Sequence, residues 1–175
     1  MEGTRVTSQR PVLLISDACV LIDFCKAGCH DILSLVSRHI LPIHVPFVVL
    51  KEVDHLDKGK AERIGITVVE VTVTQIQEAT AVRGGPSQQD RLCLIVAKDS
   101  GGAVWSNDKK LRALCKEHGV TSYWGLEIIL LLVKGNHLDG KRAHEAATLI
   151  HKIDPHYITT EVLEDFFRKL TVLIK

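Results

Sequence analysis

The stretch PVLLISDACVLIDF, residues 11–24, decides the fold class. Pro11 to Ile15 is a short, unbroken apolar run, the pattern of a strand in a parallel sheet covered on both faces. Val20, Leu21 and Phe24 then recur at helical spacing, so the strand feeds directly into a helix. Between them stands Asp17, the only charged residue from Pro11 to Ile22. A charge at the end of a buried strand is costly unless it meets a cation or hydrogen bonds.

Strand and helix keep alternating outward from there. Ile32, Leu33 and Val36 predict a second amphipathic helix after Gly28. Ile43 to Val45 reads as a strand, because Pro46 biases Val45 toward extended geometry and can open a helix. That helix turns Val49, Val53 and Leu56 inward, carries Glu52, and ends in the DKGK stretch at 57–60. Val69, Val71 and Val73 alternate with Glu70, Thr72 and Thr74, which predicts a half-buried strand at an edge or beside a crossover. After Gly84, Gly85 and Pro86, Ser87 stands three residues before Asp90 in a capping-box pattern, opening a helix that reaches Lys98. Gly101 and Gly102 turn into a strand from Ala103 to Ser106. Leu111, Leu114 and Cys115 mark a helix stopped near Gly119, and Val120 to Tyr123 is the last strand. The tail is helical over Leu126–Val133, over Lys141–Ile153, and in a final helix capped by Thr160 with Leu163, Phe166, Phe167 and Leu170 on one face. The whole predicts an α/β fold, a three-layer sandwich with a central parallel sheet over residues 1–125, and a helical C-terminal extension over 126–175 packed on the same domain.

With 22 basic and 21 acidic residues the net charge is +1, so no global field draws the chain to nucleic acid or membrane, and a polyanion must be met by a local patch. Five cysteines without a Cys-x-x-Cys pair read as reduced core thiols. The first ten residues lack a secretory pattern, and the apolar run Leu126–Val133 contains Glu127 and falls short of the roughly 20 residues of a bilayer helix. These features predict a cytoplasmic protein. No pair of the nine histidines has a zinc-ligand spacing beside cysteine.

Asp17, Glu52, Asp90 and Asp108 all sit where apolar segments give out. Functional groups of open parallel sheets collect beyond the carboxyl ends of the strands, which Asp17 and Asp108 occupy directly. Glu52 and Asp90 join them from early helical turns. Carboxylates about 5 Å apart repel by roughly 3 kcal/mol at an effective dielectric of about 20, so four together need a cation. Oxygen-only ligation suits Mg²⁺ or Mn²⁺ and the hydrolysis of a phosphodiester. Singly, each acid is also an ordinary helix cap or exposed carboxylate. Lys109, Lys110, Arg112, Arg83 and Arg91 flank the acids as RNA-phosphate contacts, or as ordinary solvated helix residues. Asp23 reads as exposed, and Asp54 and His55 as a solvated loop.

Ser16-Asp17-Ala18-Cys19-Val20-Leu21-Ile22, the Val45-Pro46-x-x-Val49-Leu50-x-Glu52 stretch, Ser87-x-x-Asp90, and Ser106-Asn107-Asp108-Lys109-Lys110-Leu111-Arg112 together resemble the ordered motifs of PIN-domain ribonucleases. The resemblance covers residues 12 to about 125, and the tail, with Gly125 to Gly135, two helices and Tyr157-Ile158-Thr159, is similar to that of VapC-like toxins. It implies a Mg²⁺- or Mn²⁺-dependent endoribonuclease in which Asp17, Glu52, Asp90 and Asp108 hold one or two ions and water is activated for in-line attack. Asp17 and Asp108 would be direct ligands, Glu52 and Asp90 would ligate or orient water, and Ser106 and Asn107 would hydrogen-bond the site. Cys19 stands where the family often carries Asn or Ser. The resemblance also implies a toxin of a toxin–antitoxin pair, with a separate antitoxin chain covering the site. The Leu126–Val133 run and the Phe166/Phe167 stripe suit a homodimer or partner groove as well as core packing. Two other readings stand beside this one: a catalytically inactive PIN-like interaction module, and an aspartyl-phosphate enzyme with Asp17 as nucleophile. The latter is weakened because Asp17-Ala18-Cys19 lacks the second Asp of the usual Asp-x-Asp signature.

Overall fold

A computed structural model describes residues 10–174; the sequence reading of residues 1–9 as free of a secretory signal lies outside them. Five strands, β1 (Leu14–Ser16), β2 (Ile43–Pro46), β3 (Ile66–Val69), β4 (Ala103–Trp105) and β5 (Ser122–Tyr123), form one sheet in the order β3-β2-β1-β4-β5. Every pairing is parallel. The helices are α1 (Ala18–Lys26), α2 (His30–His39), α3 (Phe47–Leu50), α4 (Lys58–Arg63), α5 (Val73–Ala81), α6 (Gln88–Ser100), α7 (Lys109–Glu117), α8 (Gly125–Lys134), α9 (Gly140–Ile153) and α10 (Thr160–Leu173). They flank the sheet, giving the three-layer α/β sandwich expected from the alternating pattern.

The central strands are the most deeply buried. All residues of β1 and β4 are enclosed, as their unbroken apolar runs require. Trp105 anchors this centre: its ring meets Phe24 of α1 edge-on at 5.0 Å, and its indole N–H donates to the carbonyl of Trp124 at 3.2 Å. Helix α6 lies across β1, β2 and β4. Its start is fixed by the reciprocal cap of Ser87 and Asp90, and its end by Gly101 in the left-handed region at φ 67°. The C-terminal helices dock through α8 on α2 and α9 on α1, with α10 laid across α8 and α9. Arg142 of α9 donates two hydrogen bonds, at 2.9 and 2.7 Å, to the Asp31 carboxylate of α2. Among the described residues no helix is long and apolar enough to cross a membrane.

Two sequence expectations are corrected here. The strand predicted around Val69, Val71 and Val73 is instead Ile66–Val69, at the sheet edge beside β2, and Val73 is the first residue of α5, 71% exposed. Thr72 accepts from the Gln75 N–H at 3.2 Å while the Gln75 side chain accepts from the Thr72 N–H at 3.0 Å. That capping box overrides the β preference of alternating Val and Thr. At the other end of the chain, α10 is capped by Thr159, whose hydroxyl accepts from the Val162 N–H, and Thr160 is the first helical residue.

Candidate functional site

Strand order reverses between β1 and β4, since one half of the sheet grows from β1 through β2 to β3 and the other from β4 to β5. Such a switch point opens a crevice beyond the carboxyl ends of the strands. Ser16 faces Trp105 in register, and the Asp17 N–H donates to the Trp105 carbonyl at 3.1 Å. The residues just past that register are Asp17 on one strand and Ser106, Asn107 and Asp108 on the other. Parallel pairing therefore brings together groups some ninety positions apart in sequence.

Asp17, Asp90 and Asp108 are all helix caps. Oδ1 of Asp17 accepts from the Val20 N–H at 2.9 Å, and Oδ1 of Asp108 from the Leu111 N–H at 2.8 Å. Oδ2 of Asp90 accepts from the Ser87 N–H at 3.1 Å and from its hydroxyl at 2.7 Å. Capping occupies only one oxygen of each. The other oxygen of Asp17, Oδ2, is buried with no hydrogen-bond partner, on a residue 1% exposed. Burial pushes the Asp17 carboxyl from the ordinary 3.8 up to about 7; Ser106 and the Val20 N–H pull it down, and Asp90 and Asp108 push it up further. The Ser106 hydroxyl accepts from the Asp108 N–H at 2.9 Å and lies near Asp17 without bonding Oδ2.

Glu52 is placed differently from its expected position. Helix α3 stops after four residues, with Val49, Leu50 and Val53 buried beneath it, so Glu52 falls in the exposed turn beyond. Partial burial and the charge of Asp90 raise its pKa. It stands at the rim beside Asp90 rather than against Asp17.

Asp23, expected in solvent, is 4% exposed. It lies on α1 where α9 packs over that helix. Burial, then the charges of Asp154 and Asp17, raise it to about 7 against the lowering effect of Asn107 and Lys26, and its Oδ2 has no hydrogen-bond partner. Tyr157 belongs to the same locality. Its hydroxyl is pushed up by burial and then by Asp108, Cys19, Asp154 and Asp90. The link between α9 and α10 thus lies near the acids, and in the sequence the Asp154-Pro155 break and the Tyr157-Ile158-Thr159 stretch marked it. The Cys19 thiol, half-buried, is pushed up to about 12 by burial and by Asp17, Asp90, Asp23 and Asp154, so it stays neutral and adds no charge to the cluster.

Among the described residues no three His, Cys, Asp or Glu side chains converge closely enough to enclose an ion. The donors nonetheless fit a hard divalent cation in kind, being carboxylate oxygens at one crevice with an orphaned one on Asp17. A shared cation would offset both the desolvation of Asp17 and the repulsion from Asp90 and Asp108.

Of the basic residues expected to flank the acids, Arg83 is exposed, and the other four divide into two pairs. Arg91 is committed to bracing the turn before α6: its Nε donates to the Ala79 carbonyl at 2.7 Å and its Nη1 to Gly84 and Pro86 carbonyls at 3.0 and 2.6 Å. Arg112 stacks on the Trp124 ring at 3.9 Å, and one of its guanidinium nitrogens is buried without a partner. Both therefore act in the fold where a phosphate contact was expected. Lys109 and Lys110 remain exposed, in the first turn of α7. Cations at that positive helix end cost about 0.3–1 kcal/mol each unless an anion is present.

Asn107 connects the crevice to the C-terminal helices. Its Oδ1 accepts from the Gly125 N–H at 2.8 Å, at the start of α8, and its amide lies beside Asp23. A Cβ at Gly125 would come within 2.7 Å of Asn107 Oδ1 and 2.9 Å of Nδ2. Gly125→Ala would gain at most about 1 kcal/mol of helix propensity, but the buried Asn107 side chain cannot shift without breaking its bond to α8. A net loss of about 1–3 kcal/mol is expected in thermal melts.

No family model, curated protein or solved structure matches the chain.

Proposed function

We propose that the protein is a divalent-cation-dependent endoribonuclease. The observation that carries this is the buried, unpartnered Oδ2 of Asp17 at the switch point, in the field of Asp90 and Asp108. A bound Mg²⁺ or Mn²⁺ would lower the pKa of water and offset charge on the phosphate oxygens. Asp17 and Asp108 would hold the ion, and Asp90 and the rim residue Glu52 would complete the donor set or orient water. Cys19 and Tyr157, both kept protonated, can donate hydrogen bonds to a phosphate without adding negative charge. Lys109 and Lys110 offer it two cations at the start of α7.

Purified protein is expected to cleave structured RNA in Mn²⁺ and to stop on chelation; intact RNA after prolonged incubation with Mn²⁺ and Mg²⁺ would overturn the reading. The toxin role belongs to the same proposal, with a separate antitoxin covering the acids. Expression of the chain alone should then arrest growth, and Asp17→Asn should lift the arrest. A groove of about 580 Å³ between α8 and α10, lined by Leu130, Leu131, Val162 and Phe166 among others, favours a second reading as a non-catalytic interaction module. Calorimetry separates the two, because the module reading has no need of Mn²⁺ binding that disappears on Asp17→Asn.

A further inference from the structure

A second cavity, of about 380 Å³, opens beside α1 away from the acids. Ile22 and Cys25 supply apolar surface, and Lys26, His30, Asp54, His55 and Lys60 surround it, while Asp57, outside the lining, has its Oδ2 3.8 Å from the exposed Lys60 ammonium. None of these residues has a part in the proposed hydrolysis. Cys19, Ile22 and Lys26 follow at spacings of three and four, so one stripe of α1 runs from the acids to the cavity. At the helical rise, Lys26 lies about 13 Å along the axis from Asp17. Lys26 is near enough to Asp23 to lower its pKa, and on the opposite wall Asp54 and His55 continue directly from Glu52. That wall is held in place: His55 takes φ 66°, and the Lys60 ammonium donates to its carbonyl at 3.2 Å.

We propose that this cavity binds one nucleotide of single-stranded RNA flanking the cleaved bond but not adjoining it, its phosphate on Lys26 and Lys60 and its base against Ile22, Cys25 and the His55 ring. The inference rests on the nuclease reading and specifies its substrate. A cavity at the small end of the range for ligand sites takes one nucleotide unit, and only an unpaired base is free to enter it. Apolar and ring surface beside cations is the combination that holds single strands, since stacking tolerates any base while the charges follow the backbone. The chain's net charge of +1 leaves such local patches as its means of meeting a polyanion.

The test is anisotropy of fluorescein-labelled polyuridine RNA with the full chain in EDTA, where binding is read without cleavage. Lys26→Ala is expected to bind several-fold more weakly, with a salt dependence shallower by about 0.7 in log–log slope, the value for one lost single-strand phosphate contact. Lys98→Ala, at the far end of α6, should bind like the wild type. Equal behaviour of the two variants would overturn the proposal. Crosslinks from 4-thiouridine RNA to wild-type protein should fall within residues 19–26 and 52–60, and crosslinks confined to α7 would also overturn it. Uridine monophosphate displacing the RNA at equal concentration would replace the RNA strand with a free nucleotide and so reject it. RNA binding that depends on Lys26 without cleavage in Mn²⁺ removes the nuclease reading and keeps the cavity; cleavage with no Lys26 effect does the reverse.

Discussion

Asp17→Asn is expected to abolish cleavage and to make the metal-free protein more stable at pH 8. The two effects have one cause. Raising the Asp17 carboxyl from 3.8 to about 7 means that its ionised form costs the folded state on the order of 4 kcal/mol above pH 7. Asparagine keeps the cap on the Val20 N–H, because it is as good an N-cap as aspartate, and it removes the charge. Its amide nitrogen inherits the partnerless position of Oδ2, at a cost of about 1–3 kcal/mol. The charge relief is the larger at pH 8, leaving a gain of about 2 kcal/mol, or roughly 4–8 °C in Tm for a domain of this size. At pH 5 the folded carboxyl is protonated but the unfolded one is still mostly ionised, so about 1.6 kcal/mol of the cost remains; this roughly cancels the amide cost, and the variant should be about as stable as the wild type. For activity, losing a cation's several kcal/mol of charge stabilisation corresponds to about a thousandfold or more in rate. A variant that loses activity and also loses stability at pH 8 would show Asp17 to be a structural cap whose charge the fold tolerates.

The parts of this picture that were legible in the sequence are those that depend on local pattern and order. The run Leu14–Ser16, the Ser87/Asp90 capping box and the position of Asp108 before α7 each announce a strand end or a helix start, and strand ends in a parallel sheet share one edge. What local pattern cannot supply is which face another element will cover. Asp23 reads as a solvated helix position beside Lys26, yet it is 4% exposed in a fold where α9, more than a hundred residues away in sequence, packs on α1. Arg91 and Arg112 looked like free cations because their partners, three backbone carbonyls and the Trp124 ring, have no sequence signature of their own. Glu52 failed for a different reason. Its placement required α3 to continue past Leu50, and the β-branched pair Val48–Val49 gives such a short helix little intrinsic propensity to extend. The valine series at 69–73 shows the converse case, where a reciprocal cap decided between two periods that the side chains alone left ambiguous.

Without divalent ions the protein is expected to grow more stable as the pH falls from 8 to 5, opposite to the usual behaviour of a domain with paired carboxylates. Both Asp17 and Asp23 rise from 3.8 to about 7 on folding, so between those values the folded chain binds more protons than the unfolded one. Stability then rises with falling pH through about 7 and is fully present below the unfolded value near 4. The charge of Asp17 is among the causes that raise Asp23, so both carboxylates contribute to the slope. His44 opposes this within the window, because burial lowers its pKa and its contribution is lost as the pH falls through 6.5, whereas Asp31 and Asp165, held below 3.8 by Arg142 and Lys169, oppose it only further down. Mn²⁺ should flatten the trend. Ion binding requires ionised carboxylates, and at a hundredfold excess over Kd it adds about 2.7 kcal/mol, most fully at pH 8 where no proton competes. Thermal melts at pH 5, 6.5 and 8, with EDTA and with Mn²⁺, should therefore coincide near pH 5 and separate toward pH 8. Parallel curves in the two conditions would mean that Asp17 is not where a cation binds.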